Sequence, residues 1–232
     1  MKQMNINGIP SILWGKPSQK GFLVVHGKMG CKENAKEFAA LAEQRGYQVL
    51  SFDLPQHGER KDEAYACNAW NGAADLQHIL AYAKQQWSEI HLFAESLGAY
   101  FSLLAYAGES FKSCLFLSPV LDMDRLIENM MGWAGVTVEQ LQTEGEIPTT
   151  FGETLSWEYY QYAKQHRIEN WPSPTAILYA GQDTLTSRAT VDAFVARFDC
   201  TLTVMEEGEH WFHTPEQLDV LYRWLEQAIP KE

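Results

Sequence analysis

The sequence predicts an α/β protein: a doubly wound, mostly parallel sheet with helices on its faces and a small cap inserted after the sixth strand. Apolar runs of strand length alternate with segments of helical periodicity along most of the chain, the rhythm of a parallel sheet whose crossovers are helices. A short apolar run over 89–94 leads to Ser96 and turns directly into a helical pattern. At 232 residues the chain is long enough for one large domain, 1–232, that buries roughly 70–75% of its unfolded surface.

Each element has its own justification. Residues 3–14 read as one or two edge strands, and Gly21-Phe-Leu-Val-Val25 as the first fully buried one. A helix over 34–45 carries Phe38, Leu41 and Ala42 on one face. Strand 47–52 precedes a helix over 70–87, where Leu76, Ile79, Leu80 and Ala83 recur at helical spacing. Strand 89–94 runs into helix 97–107, and 113–117 forms the next strand. The rhythm then breaks. Residues 122–170 mix Met123, Leu126, Met130, Trp133, Trp157 and Tyr159 with acids, and they stop at the Trp-Pro-Ser-Pro of 171–174. Lacking any regular strand–helix unit, they read as a cap over the mouth of the sheet. Alternation resumes with strand 175–180, helix 187–198 and strand 201–205. A last helix over 215–228 is announced by Thr214-Pro215, a cap followed by proline at the first helical position.

Composition excludes several classes. With 46% hydrophobic and 21% charged residues, the chain has ample core material and is not a disordered protein. A net charge of -12 leaves no basic stripe to neutralise phosphates, so nucleic acid is not an expected partner. No run approaches the ~18 apolar residues of a membrane span, and Met1 to Trp14 is too polar for a signal peptide. The four cysteines, Cys31, Cys67, Cys114 and Cys200, form no Cys-x-x-Cys pair and suit a reducing compartment. A cytoplasmic protein is expected. No metal is expected, because no His-x-x-x-His stands near a carboxylate. The first buried strand is not followed by Gly-x-Gly-x-x-Gly, so no nucleotide cofactor is expected either.

Ligands of an open parallel sheet bind beyond the carboxyl ends of the strands, so the loops after each strand are where chemistry is sought. Four stand out: His26-Gly27-Lys28-Met29-Gly30, Ser96, Gly181-Gln182-Asp183, and Glu206-Glu207-Gly208-Glu209-His210. Serine, aspartate and histidine thus fall in that order on one edge. Taken alone, Ser96 is as readily an N-cap of the following helix. A turn role competes for Asp183, and Asp122 or Asp124 after strand 113–117 are competing acids, but Asp183 is the favoured one.

Five segments together resemble the α/β-hydrolase family, in particular its monoacylglycerol-lipase-like and serine-aminopeptidase-like esterases with small caps. They are His26-Gly27, Asp53-Leu-Pro-Gln-His57-Gly58, Ala94-Glu-Ser96-Leu-Gly98, Ala180-Gly-Gln-Asp183 and Gly208-Glu-His210, and the resemblance covers nearly the whole chain. Alanine at 94 departs from the Gly-x-Ser-x-Gly form of the nucleophile elbow but is still small. The resemblance implies structural hydrogen-bonding roles for His26 and His57. It is consistent with Ser96 as nucleophile, His210 as general base and then acid, and Asp183 as the carboxylate orienting the imidazole. By position, the oxyanion would be held by the backbone amides of Leu97 and Lys28. His213, against Thr214-Pro215, reads as a surface residue. Glu95 reads as a carboxylate packed behind the elbow that needs a partner the sequence does not name. Lys28, Met130, Trp133 and Trp157 are the expected substrate contacts, with the Lys28 ammonium also at home in solvent.

The expectation is therefore a serine hydrolase that cleaves a small carboxylic ester with no cofactor. Aminopeptidase-like or thioesterase chemistry on the same three residues is the alternative. A protein that binds a ligand on this scaffold without turnover is a third reading. Oligomeric state is not legible.

Overall fold

The computed structural model describes residues 1–231. The chain opens with an antiparallel hairpin, β1 (Lys2–Ile6) and β2 (Ile9–Trp14), whose two-residue turn is Asn7-Gly8 with both residues at positive φ. That turn matches the twist of the strands it joins. There follow β3 (Lys20–Val25), α1 (Lys36–Glu43), β4 (Gln48–Phe52), α2 (Ala69–Gln86), β5 (Glu89–Glu95), α3 (Ser96–Ala105) and β6 (Cys114–Leu117). After β6 come α4 (Met123–Ala134), α5 (Val138–Glu144), the small hairpin β7 (Glu146–Pro148) and β8 (Thr154–Ser156), and α6 (Trp157–Gln165). The sheet is completed by β9 (Thr175–Ala180), α7 (Arg188–Phe198), β10 (Thr201–Met205) and α8 (Pro215–Ala228).

Eight strands lie in the order β1-β2-β4-β3-β5-β6-β9-β10. The pairs β1–β2 and β2–β4 are antiparallel, and every pair from β4 to β10 is parallel. Alternation along β3 shows how two faces are filled from one strand. Leu23 and Val25 enter the core beneath α2 and α3, whereas Phe22 and Val24 enter the core beneath α1 and α8. Gly72 lets α2 approach α3 closely, since a Cβ there would fall 2.3 Å from the Phe101 ring.

Three boundaries differ from the sequence expectation. The helix expected over 34–45 is preceded by a 3-10 turn at 32–35, where Lys32 is buried and its ammonium binds Asp53 at 2.8 Å. Helix 97–107 instead begins at Ser96 and ends at Ala105, because Tyr106 leaves helical geometry with φ -115° and ψ 16°. The segment between β6 and β9 is also more ordered than an irregular excursion, each helix having its own stop signal or cap. Asp122, Thr137 and Ser156 accept backbone N–H bonds at the starts of α4, α5 and α6. Gly135 and Gly145, both at positive φ, end α4 and α5. Among the described residues, no helix is long and apolar enough to cross a membrane.

Candidate active site

The strand β5 passes into α3 with no intervening loop, so the backbone must reverse at Ser96 itself. It does so at φ +47°, a left-handed conformation that costs a non-glycine residue energy and persists only where the surroundings enforce it. They enforce it here by close packing. A Cβ on Gly98 would lie 2.4 Å from the His26 carbonyl oxygen, and one on Gly27 would lie 3.2 Å from the Ser96 Cβ. The bend and the His26-Gly27 turn are thus in contact, and Lys28 follows directly. Ala94, where the elbow pattern has glycine, is fully buried in the core beneath α2 and α3.

The loops after β9 and β10 are stitched together by backbone bonds. Gly181 N donates to Met205 O at 2.8 Å and Gln182 N to Gly208 O at 2.9 Å. A side chain at Gly181 is excluded, since its Cβ would fall 2.4 Å from Glu206 O. This seam brings Asp183 to His210. The fully buried Asp183 carboxylate accepts from Leu185 N at 2.7 Å and Thr186 N at 3.2 Å through Oδ1, and from His210 Nδ1 at 2.7 Å through Oδ2. Because a carboxylate only accepts, the proton sits on Nδ1 and Nε2 is left with its lone pair. Ser96 Oγ donates to that Nε2 at 2.7 Å. The three side chains form one unbroken relay.

The competing acids are occupied elsewhere. Asp122 caps α4 by accepting from Arg125 N at 3.2 Å, and Asp124 pairs with Arg167. His213 is exposed, stacked on Trp211 with ring centroids 4.6 Å apart. His26 and His57 are hydrogen-bonded within their loops. Buried His26 donates from Nδ1 to Gly27 O at 2.7 Å and accepts from Leu54 N at 3.1 Å on Nε2. Burial holds its pKa down to about 4, against the opposing pull of the Gly27 carbonyl, so it stays neutral. His57 donates to Pro55 O at 2.8 Å. Its loop is anchored by Asp53, and Gly58, at φ +53°, is obligatory because a Cβ would strike the Asp53 carboxylate at 2.2 Å.

Ser96 opens into a cavity of about 690 Å³. Met123, Leu126, Ile127, Met130 and Trp133 of α4, with Phe151 and Leu155 of the hairpin, make it largely apolar, and His57, Gln56 and Cys67 line it from the sheet side. Lys28, Met130 and Trp133 line this cavity, but Trp157 does not. Its ring packs towards Tyr160, centroids 5.9 Å apart, and Tyr159 lines the cavity instead. On a helix, residues two apart point about 200° apart, so aromatic content alone does not say which ring faces inward. Gln56 and Met29, both at positive φ, were also missed as lining residues. Their signal is position: each stands just before a glycine, Gln56 two residues ahead of Gly58 and Met29 one ahead of Gly30, in a loop that follows a strand. Among the described residues, Lys28 and Glu153 are the only lining residues with formal charge, and they pair with each other.

The sequence pattern of the alpha/beta hydrolase family matches residues 22–223. Among solved structures, alpha/beta hydrolase domain-containing protein 10 from mouse is similar with a TM-score of 0.79 at 16% identity, over 98% of this chain and 97% of that one. Est1E from Butyrivibrio proteoclasticus, solved with ferulic acid bound, has a TM-score of 0.74 at 17% identity, over 98% and 97%. A monoacylglycerol lipase from Paleococcus ferrophilus has a TM-score of 0.67 at 16% identity, over 95% and 99%. At such identities these likenesses speak for the fold alone. Among curated proteins, none matches the sequence significantly.

Proposed function

The chain belongs to the alpha/beta hydrolase family, and from that premise we propose that it is a serine hydrolase cleaving a small, uncharged carboxylic ester through an acyl-enzyme. One observation carries the proposal: the relay from Asp183 through His210 to Ser96, at 2.7 Å in each step, standing on the wall of an apolar cavity. A serine hydroxyl is a weak nucleophile at neutral pH, and an oriented imidazole lone pair is what activates it.

In the first half-reaction Ser96 Oγ attacks the ester carbonyl and its proton passes to His210 Nε2. The imidazolium is stabilised by Asp183, which stays ionised. Negative charge moves to the carbonyl oxygen, and the amides of Leu97 and Lys28 are assigned to receive it, each worth ~3 kcal/mol if well aimed. The N-terminus of α3 adds its positive end. His210 then protonates the leaving alcohol, and in the second half it deprotonates the water that releases the acid.

An ester is favoured over an aminoacyl amide by the charge of the cavity. A free α-ammonium calls for an unpaired carboxylate, and Glu153, the only one lining the cavity among the described residues, is neutralised by Lys28. Residues 122–170 act in this reading as a cap supplying the apolar wall, and the free cysteines suit a cytoplasmic setting.

A fluorophosphonate should label Ser96 covalently, and Ser96→Ala should abolish labelling and lower turnover by on the order of 10⁶ with the fold intact. Activity retained in that variant, or a wild-type protein left unlabelled, would overturn the assignment and favour a ligand binder. Nitrophenyl esters, acyl thioesters and aminoacyl anilides assayed side by side identify the substrate class, with esters expected to be fastest.

A further inference from the structure

Three of the exposed large apolar side chains, Met29, Trp133 and Phe151, line the cavity into which Ser96 opens. Met29 belongs to the turn beside the reactive bend, whereas Trp133 and Phe151 stand in the segment between β6 and β9, at 51% and 42% exposure. The two rings come from the last turn of α4 and the loop joining β7 to β8. They meet edge to face, with centroids 6.1 Å apart and planes at 78°. Two separate elements thus converge on one aromatic corner.

The place of that corner along the cavity follows from α4. Met123, Leu126, Ile127, Met130 and Trp133 all line the cavity, and their spacing of three and four residues puts them on one helix face. The stripe begins beside the nucleophile, because Val120 N, just ahead of α4, donates to Ser96 O at 3.1 Å. From Met123 to Trp133 it extends about 15 Å along the helix axis. Exposure rises along it: Met123, Leu126 and Ile127 are buried, Met130 is half-buried and Trp133 is open to solvent. The wall is closed at the reacting end and open at the far one.

We infer that Trp133 and Phe151 form a distal subsite, and that the substrate is an ester whose unreactive end carries an aromatic ring. This rests on the assignment of Ser96 above. Exposed apolar surface of this kind marks a binding groove, and here it continues the apolar stripe that leads from the reacting atoms. A cavity of about 690 Å³ encloses one small organic molecule. A flat ring is singled out over a saturated end, because the open faces and edges of the pair attract the quadrupole of another aromatic ring, which a saturated ring of similar size lacks. That end needs no charge, since Lys28 and Glu153 neutralise each other.

Two series of neutral esters test this, one varied in the acid and one in the alcohol. Each ends in phenyl or in cyclohexyl on a polymethylene spacer lengthened stepwise. In one series the phenyl ester is expected to exceed its cyclohexyl partner about three- to tenfold in kcat/KM, and only once the spacer reaches the corner. In the double variant Trp133→Ala/Phe151→Ala that ratio should fall to about one. Comparing two esters within one protein removes any difference in folded fraction, which the final extent of fluorophosphonate labelling reports separately. A wild-type ratio of one in both series at every spacer length would overturn the inference. So would a ratio that survives in the double variant, or one already complete at the shortest spacer, which would put the ring beside Ser96. A wild-type protein neither labelled at Ser96 nor active on any ester would instead bring down the underlying reading.

Discussion

Glu95 stands between the buried Ala94 and the reactive bend, and its carboxyl has no hydrogen bond or ion pair among the described residues. Burial alone lifts its pKa from 4.5 to about 7. The folded protein therefore keeps a proton that the unfolded chain releases near pH 4.5. The resulting stability is fully present below that pH and is lost as pH rises to about 7. Glu95→Gln should be more stable than wild type above pH 7, by on the order of 2 kcal/mol once partial contact with water is allowed for, and equal to it near pH 4. Urea melts at the two pH values test this, and equal midpoints above pH 7 would mean the carboxyl finds a partner in solution. The need for a partner was legible from one charged residue at the end of an apolar strand. That none exists was not, because it depends on what surrounds the strand end in three dimensions.

At the scale of elements, the loops after β6 and β9 both offer aspartates, and the sequence favours Asp183 without showing what brings it to the imidazole. The choice is made by the seam of backbone bonds from Gly181 and Gln182 to the loop after β10, which delivers Asp183 to the imidazole while Asp122 is consumed as a helix cap. Asp183→Asn should lower kcat by roughly 10⁴ through the wrong imidazole tautomer. Asp122→Asn, which still caps α4, should change it less than about threefold. Steady-state assays of both variants decide, and the reverse ranking would move the acid to the earlier loop. Strands were the most legible elements, since burial on both faces writes itself as unbroken apolar runs such as 22–25 and 176–180. The interior of 122–170 was less so. Its helices are amphipathic and short, and the phase that turns Tyr159 inward and Trp157 aside depends on where α6 starts, which Ser156 sets by capping it. The pairing of Lys28 with Glu153 had no local signal at all, being made by topology.

For the molecule as a whole, pH acts through opposed groups. His26 is buried with its pKa held down to about 4, so the stability it lends is fully present above about pH 6.5 and is lost as pH falls towards 4. Glu95 gains over much of the same window. In Glu95→Gln the histidine limb stands unopposed, and its urea midpoint should fall more steeply than that of wild type between pH 6.5 and 4. Parallel slopes would show that Glu95 keeps no extra proton in the folded state, and a flat profile in Glu95→Gln would show that His26 is protonated there. The mostly parallel sheet and the succession of loops at its edge were legible in the alternation of apolar runs, whereas the strand order, which depends on long-range pairing, was not.

The segment between β6 and β9 leaves and rejoins the sheet on adjacent strands, and Asp124 near its beginning is bound to Arg167 near its end. A piece of chain stapled at its own base behaves as a cassette. Exchanging it as a unit is expected to change the apolar wall of the cavity and to leave the hydrogen bonds among Ser96, His210 and Asp183 in place.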